Sequence, residues 1–388
     1  MLRHDDMTAA PFPPFTAEHE DFRQAVRGWV LRELRPHAGE WEDARWFPDN
    51  AFRAIAAQGY IGLALPRADG GDGDPIAAAV FAEELQRCGS GGVAAGLGAH
   101  AHIALPPIAH FGTEDQRRRY LVPGLAGEAI AALGISEPNA GSDVAAIRTH
   151  AQRVDGGFVV NGSKMFITNG VRADLVVMAV RTRPEGGHDG ISFLIVDTDQ
   201  PGYEASKIEK LGWHASDTAL IALDDVFVPA ENLLGTEHEG FKLIMANFQW
   251  ERLIMAVGAV GAMAEALELA VGYAGQRIAF GRPIGRHQAI RHRLADMATS
   301  LHTCRCVTYD ALRRFADGED VRREVTMAKL LTQRAAYELI DDCLQIHGGA
   351  GYMREYEVER MARDARLGPI GGGSDEIMRE ILGKSLGI

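Results

Sequence analysis

The sequence predicts an α+β protein with an N-terminal helical domain, a middle antiparallel β-barrel or β-sandwich domain and a C-terminal four-helix bundle. Two observations predict this order. Apolar residues recur at helical spacing toward both ends of the chain, and short β-branched runs separated by glycine-containing turns occupy the middle. We expect an extended or disordered N-terminus at 1–15, a helical domain at 16–121, a β-domain at 122–235 and a helical bundle domain at 236–388.

The N-terminal helical domain is predicted from two amphipathic segments and one capping signal. In the first segment, apolar residues recur at three- and four-residue steps, namely Phe22, Val26, Trp29, Val30 and Leu34. Residues 77–87 repeat this pattern. Thr113 and Gln116 have the spacing of a capping box, so we expect a helix to begin at Glu114.

The β-domain is predicted from short apolar runs rich in β-branched residues, at 159–160, 175–180 and 191–196. Pairs of residues typical of turns lie between them, namely Asp155-Gly156, Asn161-Gly162, Asn169-Gly170 and Asp189-Gly190. No long helical pattern intervenes. We therefore expect an antiparallel sandwich or barrel and not a parallel sheet with crossover helices.

The C-terminal bundle is predicted from four long helical patterns, at about 241–274, 288–316, 321–346 and 375–386. The longest apolar run, Leu253 to Ala264, is too short to span a bilayer and is flanked by charged residues. We therefore interpret it as part of a helix buried in a protein core.

Composition and charge exclude several classes of protein. With 388 residues, of which 46% are hydrophobic and 24% charged, the chain has the composition of a globular protein and not of a disordered one. The net charge of −13 argues against nucleic acid as a main partner, since phosphate backbones require clustered Lys and Arg. The four cysteines form no C-x-x-C pair, and the first fourteen residues lack the apolar stretch of a signal peptide. We expect reduced thiols and a cytoplasmic location.

Several functional motifs fail. Residues 89–94 match G-x-G-x-x-A by count, but they follow a helical stretch and not a strand, which is the wrong context for dinucleotide binding. Neither a P-loop nor a G-x-S-x-G nucleophile elbow occurs. His100, His102 and His110 have no nearby array of Cys, Asp or Glu, so we expect core or surface histidines and no metal site.

Four motifs remain, and they extend over more than two hundred residues. They are G-I-S-E-P-N-A-G-S-D at 134–143, G-S-K-M-F-I-T-N-G at 162–170, R-I-A-F-G at 277–281 and Q-I-H-G-G at 345–349. In these motifs the chain resembles the acyl-CoA dehydrogenase family along nearly its whole length. The resemblance implies the three-domain fold, an acyl-CoA substrate, one FAD per subunit and a homotetramer built as a dimer of dimers. It also implies an electron-transferring flavoprotein as electron acceptor and a role in the β-oxidation of fatty acids.

The resemblance also implies which residues bind FAD. Phe166 matches an aromatic residue, often Trp in the family, that shields the flavin, and Thr168 matches a hydroxyl near flavin N5. Arg277 suits a pyrophosphate because its planar guanidinium group can donate two hydrogen bonds. The half of the FAD site that contains Arg277 would come from a neighbouring chain. The implied FAD contacts are Leu133, Ile135, Ser136, Gly141, Ser142, Phe166, Thr168, Arg277, Phe280, His287, Gln288, Gln345, Gly348, Gly349, Ser374 and Glu376.

The position of the catalytic base departs from the commonest family pattern. Many members carry a glutamate in a C-terminal Tyr-Glu-Gly-Thr segment, where this chain has Gly-Gly-Gly-Ser at 371–374, so Gly372 cannot take a proton. Glu251 lies on a largely apolar helix face, where an unpaired carboxylate is costly. The long-chain and isovaleryl-type subset of the family has its base at this helical position and glycine at the other. We therefore expect Glu251 to be the catalytic base.

The reaction implied by the resemblance is α,β-dehydrogenation of an acyl-CoA thioester. Glu251 would remove the α-proton as hydride leaves the β-carbon to flavin N5, which yields the trans-2-enoyl-CoA. The backbone N–H at Gly372 and a ribityl hydroxyl of FAD would polarise the thioester carbonyl. The implied acyl-CoA contacts are Ser142, Gln249, Arg252, Gly372 and Gly373.

The sequence also leaves rival interpretations open. One gives Glu251 a structural role in an ion pair of the bundle. Asp375 and Glu376 lie near the missing glutamate, but the helix dipole adequately explains acidic residues in a first helical turn. For the protein as a whole, the rival functions are an acyl-CoA oxidase, a flavin monooxygenase-like relative, a non-catalytic FAD-binding member and a helical interaction module without cofactor.

Overall fold

The described part of the fold begins with an amphipathic helix that is followed by a series of short helices. A computed structural model describes residues 12–185 and 187–387, so residues 1–11 of the segment expected to be extended or disordered lie outside the described part. The predicted helix start at Glu114 is confirmed, because Thr113 and Gln116 form both hydrogen bonds of the capping box. The helices are α1 (Ala17–Glu33), α2 (Ala38–Ala44), α3 (Asn50–Ala57), α4 (Pro75–Leu85), α5 (Gly91–Gly98), α6 (Leu105–Phe111), α7 (Glu114–Gln116) and α8 (Val122–Leu125).

The middle of the chain forms an eight-stranded sheet that encloses its own apolar core. The strands are β1 (Ala131–Gly134), β2 (His150–Val154), β3 (Gly157–Thr168), β4 (Leu175–Arg181), β5 (Ile191–Asp197), β6 (Tyr203–Lys207), β7 (Thr218–Pro229) and β8 (Leu233–Leu234). They follow the order β6-β7-β3-β2-β4-β5-β8, with β1 beside β4. The β1–β4 and β2–β4 pairs are parallel and the other pairs are antiparallel. The predicted β-domain is confirmed, with these two parallel pairings as the difference.

One of the predicted turns is wrong. Asp155-Gly156 joins β2 to β3, and Asn169-Gly170 forms a turn after β3, as predicted. Asn161-Gly162, however, lies inside β3 at a shift in its register with β7. Gly162 has φ of +144° and no room for a side chain, since a Cβ built there would lie 2.6 Å from Cα of Thr149. The Asn-Gly pair therefore makes a β-bulge that bends a long strand.

The C-terminal part contains the four predicted helices and one that the sequence did not reveal. The helices are α9 (Gly240–Gln276), α10 (Gln288–Ala316), α11 (Arg322–His347), α12 (Glu357–Ala365) and α13 (Asp375–Ser385). A small hairpin of β9 (Ile278–Ala279) and β10 (Arg282–Pro283) follows α9. The nine residues of α12 are too few for helical periodicity to separate them from a loop.

Helix α9 is the central element of the protein. It packs against α10, α11 and α4, so it contacts both helical domains. Arg87 pairs with Glu265 at 2.6 Å and Arg35 pairs with the same carboxylate at 2.6 Å, which ties the N-terminal helices to α9. By length and composition α9 could cross a membrane, but 61% of its most apolar window is buried inside the protein, as in a core helix.

The β-bulge generates a stability prediction. We expect Gly162→Ala to destabilise the protein by about 2 kcal/mol. The new methyl group would collide with Thr149, the residue before β2, and residue 162 is held at positive φ. Gly156→Ala is the matched control, since Gly156 also has positive φ but has no atom within 4 Å of its Cβ position. Thermal unfolding should show a clearly larger fall in Tm for Gly162→Ala, and equal shifts would contradict the steric argument.

Candidate active site

The carboxylate of Glu251 faces the glycine-rich loop at 371–374, which precedes α13. A Cβ built on Gly372 would lie 3.6 Å from Oε1 of Glu251 and 2.2 Å from Sδ of Met255. The space at position 372 is therefore already filled from α9. The structure thus brings together the two positions that the sequence motifs related, a glutamate on the helix and a glycine in the loop.

The loop can approach α9 this closely because it consists of glycines. Gly372 has φ of +60° and Gly373 has φ of +91°, values that side-chain-bearing residues rarely adopt. The loop ends where the Ser374 hydroxyl accepts a hydrogen bond from the backbone N–H of Ile377 and caps α13. Gly372 and Gly373 consequently present backbone, and not side chains, to Glu251 and Arg252.

Glu251 has the electrostatic environment of a base that works near neutral pH. Burial raises the pKa of its carboxyl group to about 7, and the nearby charges of Arg252 and Lys329 limit the rise. Its buried Oε2 has no hydrogen-bond partner among the described residues. Arg252 is itself buried, which lowers the pKa of its guanidinium group, and it lies over the ring of Phe248 at 5.4 Å. Among the described residues, no Lys, Arg or His nitrogen lies within 4.0 Å of the Glu251 carboxylate, which argues against a structural ion pair.

A second group of predicted residues lies in the loop after β1. The loop is held against β3, because the backbone N–H of Met165 donates to the carbonyl oxygen of Ser136 at 2.9 Å. Nζ of Lys164, which is fully buried, donates to the carbonyl oxygen of Ile135 at 3.1 Å and to Oε1 of Glu137 at 2.8 Å. Sequence analysis missed Lys164 and Glu137, since an alternating strand pattern does not reveal which polar residue points inward.

The outer face of this loop and of β3 is open. Phe166 has φ of +65° and lies at a second register shift in β3, and 63% of its surface is exposed. Thr168 ends the strand two residues later. Gly141 and Ser142 are exposed, and no atom lies within 4 Å of the Cβ position of Gly141. A strained, outward-turned aromatic residue next to an uncovered loop is typical of a binding surface.

A third group surrounds a cavity of about 380 Å³ at the far end of α9. Arg277, Gly348 and Gly349 line it together with Tyr273 and His347. Phe280, at the tip of the β9–β10 hairpin, is 95% exposed, and Nε2 of His287 lies 3.2 Å from the carbonyl oxygen of Ala279 in the same hairpin. Gln288 opens α10 and Gln345 lies in the last turn of α11, and both are exposed.

These groups are far apart within one chain. Arg277 follows Glu251 by 26 residues along one continuous helix, which places them about 39 Å apart along the helix axis. That distance exceeds the reach of a single FAD molecule. A site that uses both residues therefore requires two copies of the chain.

Comparison with known proteins identifies the family. The N-terminal, middle and C-terminal domain models of acyl-CoA dehydrogenases match residues 16–128, 132–226 and 238–387. The fold and the site together define a three-domain oxidoreductase of the flavoprotein class. The chain belongs to the acyl-CoA dehydrogenase family, which confirms the predicted family and fold.

Individual relatives cover almost all of the chain. An acyl-CoA dehydrogenase of Bacillus subtilis is 39% identical over 96% of this chain and 98% of its own length. A mitochondrial isovaleryl-CoA dehydrogenase of Oryza sativa is 36% identical over 96% of this chain and 92% of its own length. The crystal structure of a probable acyl-CoA dehydrogenase from Mycobacterium abscessus superposes with a TM-score of 0.93 at 44% identity, covering 96% of this chain and 99% of that one.

The residues present fit FAD, the cofactor that the resemblance implies. The open face beside Phe166 and Thr168 suits a flat ring, and the exposed loop at Gly141 and Ser142 offers backbone groups next to it. The cavity at Arg277 combines a guanidinium with glycines that leave backbone N–H groups accessible, a donor set for pyrophosphate. Among the described residues, no group of three or more His, Cys, Asp or Glu could hold a metal ion.

The buried Lys164–Glu137 pair generates a second prediction. We expect Lys164→Met to cost about 3 kcal/mol and to weaken FAD retention, because it leaves a buried carboxylate unpaired and releases the loop after β1. The double variant Lys164→Met/Glu137→Gln should recover most of the stability, since the uncompensated charge is gone. Thermal unfolding and flavin absorbance per subunit measure both effects. A double variant no more stable than Lys164→Met would contradict the pairing argument.

Proposed function

We propose that this protein is an FAD-dependent acyl-CoA dehydrogenase in which Glu251 abstracts the α-proton of the substrate. The observation that carries the proposal is the position of the Glu251 carboxylate, which lies against the space that a side chain at position 372 would otherwise need. The pKa of about 7 and the unsatisfied Oε2 both fit a base that is free to accept a proton.

Each residue of the proposed site has a separate task. Glu251 takes the α-proton, and the backbone N–H groups of the glycine loop donate to the thioester oxygen, where negative charge develops. Arg252 contributes positive charge beside the anionic coenzyme A, and Ser142 and Gln249 complete its contacts. When bound against Phe166 and Thr168, FAD supplies the acceptor for the β-hydride.

The second half of the FAD site comes, in this proposal, from another subunit. The separation of about 39 Å between Glu251 and Arg277 along α9 supports this arrangement. So does Phe280, an aromatic residue almost wholly exposed in a single chain. Phe280, His287, Gln288, Gln345, Gly348 and Gly349 would then cover the FAD of a neighbouring chain, with Ser374 and Glu376 on the near side. A homotetramer built as a dimer of dimers provides two such reciprocal pairs.

The proposal extends to partners and location. An acyl-CoA thioester is the substrate class, an electron-transferring flavoprotein is the electron acceptor, and the protein acts in fatty-acid β-oxidation in the cytoplasm. Family membership supports the first two of these, and the glycine at position 372 favours the long-chain and isovaleryl-type subset.

Anaerobic bleaching of the flavin absorbance tests the function. We expect purified protein to be yellow and to lose its flavin absorbance when mixed with one class among acyl-CoA thioesters of graded length and branching. The class that bleaches fastest identifies the acyl chain. Rapid reoxidation by O₂ with peroxide release would instead indicate an acyl-CoA oxidase, and yellow protein that no thioester bleaches would indicate a non-catalytic FAD-binding member.

Loss of the base should abolish bleaching and its pH dependence. In wild-type protein we expect the bleaching rate to fall as pH drops below about 7, because Glu251 becomes protonated and cannot accept the α-proton. Glu251→Gln should lower the rate by about 10⁴-fold or more, because a neutral amide cannot accept the α-proton. Stopped-flow absorbance measures the bleaching rates of wild-type protein and the variant between about pH 5.5 and about pH 9, a range that includes the titration of a carboxyl group with a pKa of about 7.

The same variant tests the structural alternative for Glu251. Ionising a carboxyl whose pKa is raised by folding costs stability, and this cost is present above pH 7 and absent below the unfolded-state pKa. Glu251→Gln should therefore raise Tm at pH 8 and raise it much less at pH 5, where only a small part of this cost remains. A large loss of Tm at pH 8 would support a structural ion pair.

Subunit complementation tests the shared FAD site. Homomeric Arg277→Met and homomeric Glu251→Gln should both be inactive. Hybrids formed from both variants and purified by two different tags should regain activity, because each dimer that pairs one subunit of each kind has one of its two reciprocal sites intact and about half the wild-type rate. Inactive hybrids that nonetheless bind FAD would place Glu251 and Arg277 in the same site of one chain and would contradict the proposal.

A further inference from the structure

A lysine of α11 lies beneath the glycine loop that faces Glu251. Lys329 is fully buried, with 0% of its surface exposed, and its Nζ donates a hydrogen bond to the carbonyl oxygen of Gly373 at 2.5 Å. Among the described residues, no carboxylate oxygen lies within 4.0 Å of this ammonium group. A buried cation without a close ion pair is costly, so its presence requires a reason.

The charges around Lys329 come from two other helices. Glu251 and Arg252 face it from α9, and Asp375 and Glu376 face it from the start of α13. Burial lowers the pKa of Lys329 to about 8, although the carboxylates hold it up, so the group remains charged at pH 7. Asp375 is already paired with Arg334 at 2.7 Å. Asp375 is the carboxylate that raises the pKa of Lys329 most, and Glu251 raises it less. In return, the charge of Lys329 lowers the pKa of Glu251, whose Oε2 has no hydrogen-bond partner among the described residues.

The hydrogen bond from Lys329 adds to two backbone bonds that flank the loop, from Gly371 N–H to the oxygen of Leu367 at 2.9 Å and from Asp375 N–H to the oxygen of Pro369 at 3.0 Å. Gly371, Gly372 and Gly373 carry no side chains, so their backbone can be fixed only through its own polar groups and by contact with neighbours. A Cβ on Gly373 would meet Cε of Met378 at 2.6 Å, so the loop is also closely packed from the α13 side. Lys329 of α11 adds a charge-assisted hydrogen bond, which is stronger than a bond between neutral groups.

We propose that Lys329 is a positioning residue, which holds the glycine loop so that its backbone N–H groups face the thioester oxygen and whose charge favours the carboxylate form of Glu251. The inference rests on the proposed function and adds a residue that never touches the substrate. A methionine of similar length would fill the same space without the cost of burying a charge, so packing alone does not account for a lysine here.

Exchange of the α-proton with solvent isolates the step on which Lys329 would act. The 3,3-dimethyl analogue of the best acyl-CoA has α-protons but no β-hydrogen, so it can be deprotonated without being dehydrogenated. Holoenzyme in D₂O removes an α-proton to Glu251 and returns a deuteron to the same carbon, which regenerates the thioester with no net oxidation. Mass spectrometry of the recovered thioester gives the exchange rate as a function of pH.

Three variants on α11 distinguish the roles. Lys329→Met should slow exchange at least tenfold and move its pH midpoint upward, because both the bond to Gly373 and the positive charge beside Glu251 are lost. Lys329→Arg keeps the charge but not the geometry, so we expect a wild-type midpoint with a reduced rate. Arg323→Met, on an exposed position of the same helix, is the matched control and should behave as wild type.

The outcomes separate this inference from the proposed function. Three results together support the proposed function and the inference. The wild-type protein exchanges the α-proton, Glu251→Gln abolishes this exchange, and the Lys329 variants show the effects above with unchanged FAD content. Wild-type exchange that Lys329→Met leaves unaltered in rate and midpoint overturns the inference alone. If Lys329→Met does not fold, a wild-type rate in Lys329→Arg overturns it instead. Wild-type holoenzyme that exchanges no α-proton overturns the proposed function and the inference with it.

Discussion

The structure depends on one unfavourable interaction, the burial of an unpaired carboxylate at Glu251. Desolvation raises its pKa to about 7, which would suit the proposed role as proton acceptor but removes the stability that a paired carboxylate would contribute. Position 372 favours glycine because its φ is positive and because a Cβ there would lie 2.2 Å from Sδ of Met255, which is one helical turn from Glu251 on α9. A loop of glycines then needs other means of support. The bond from Lys329, the cap at Ser374 and the packing of Met378 supply it.

Helix α9 carries residues of two candidate binding regions that are far apart. Glu251 and Arg252 lie in its N-terminal half. Arg277 directly follows its last residue and lines a separate cavity. Because a helix is a rigid rod, these two ends cannot meet in one chain, and a complete FAD site on both requires an assembly. Arg35 and Arg87 both pair with Glu265, which fixes α9 against the N-terminal helices. Glu251 and Arg252 therefore lie on a helix that is packed firmly into the core.

The differences between prediction and structure have specific physical causes. Asn161-Gly162 has the composition of a hairpin turn, but the pairing of β3 with β7 on both sides of it converts the glycine into a bulge. Helix α12 was missed because nine residues contain little periodicity. Lys164 and Lys329 were missed because lysines are usually solvent-exposed, and a single sequence carries no sign that a particular one is buried.

Local sequence was enough to predict the three-part fold and the long bundle helices, because periodicity and capping residues act over short stretches of chain. The relation between Glu251 and Gly372 came from the resemblance to the family, since the two residues are distant in the sequence. Two features emerged only from the folded chain: the Glu251 carboxylate lies next to the glycine loop, and Lys164 and Lys329 point inward. Burial and long-range contact set these properties, because desolvation of a charge depends on every element packed around it and not on its neighbours in the sequence.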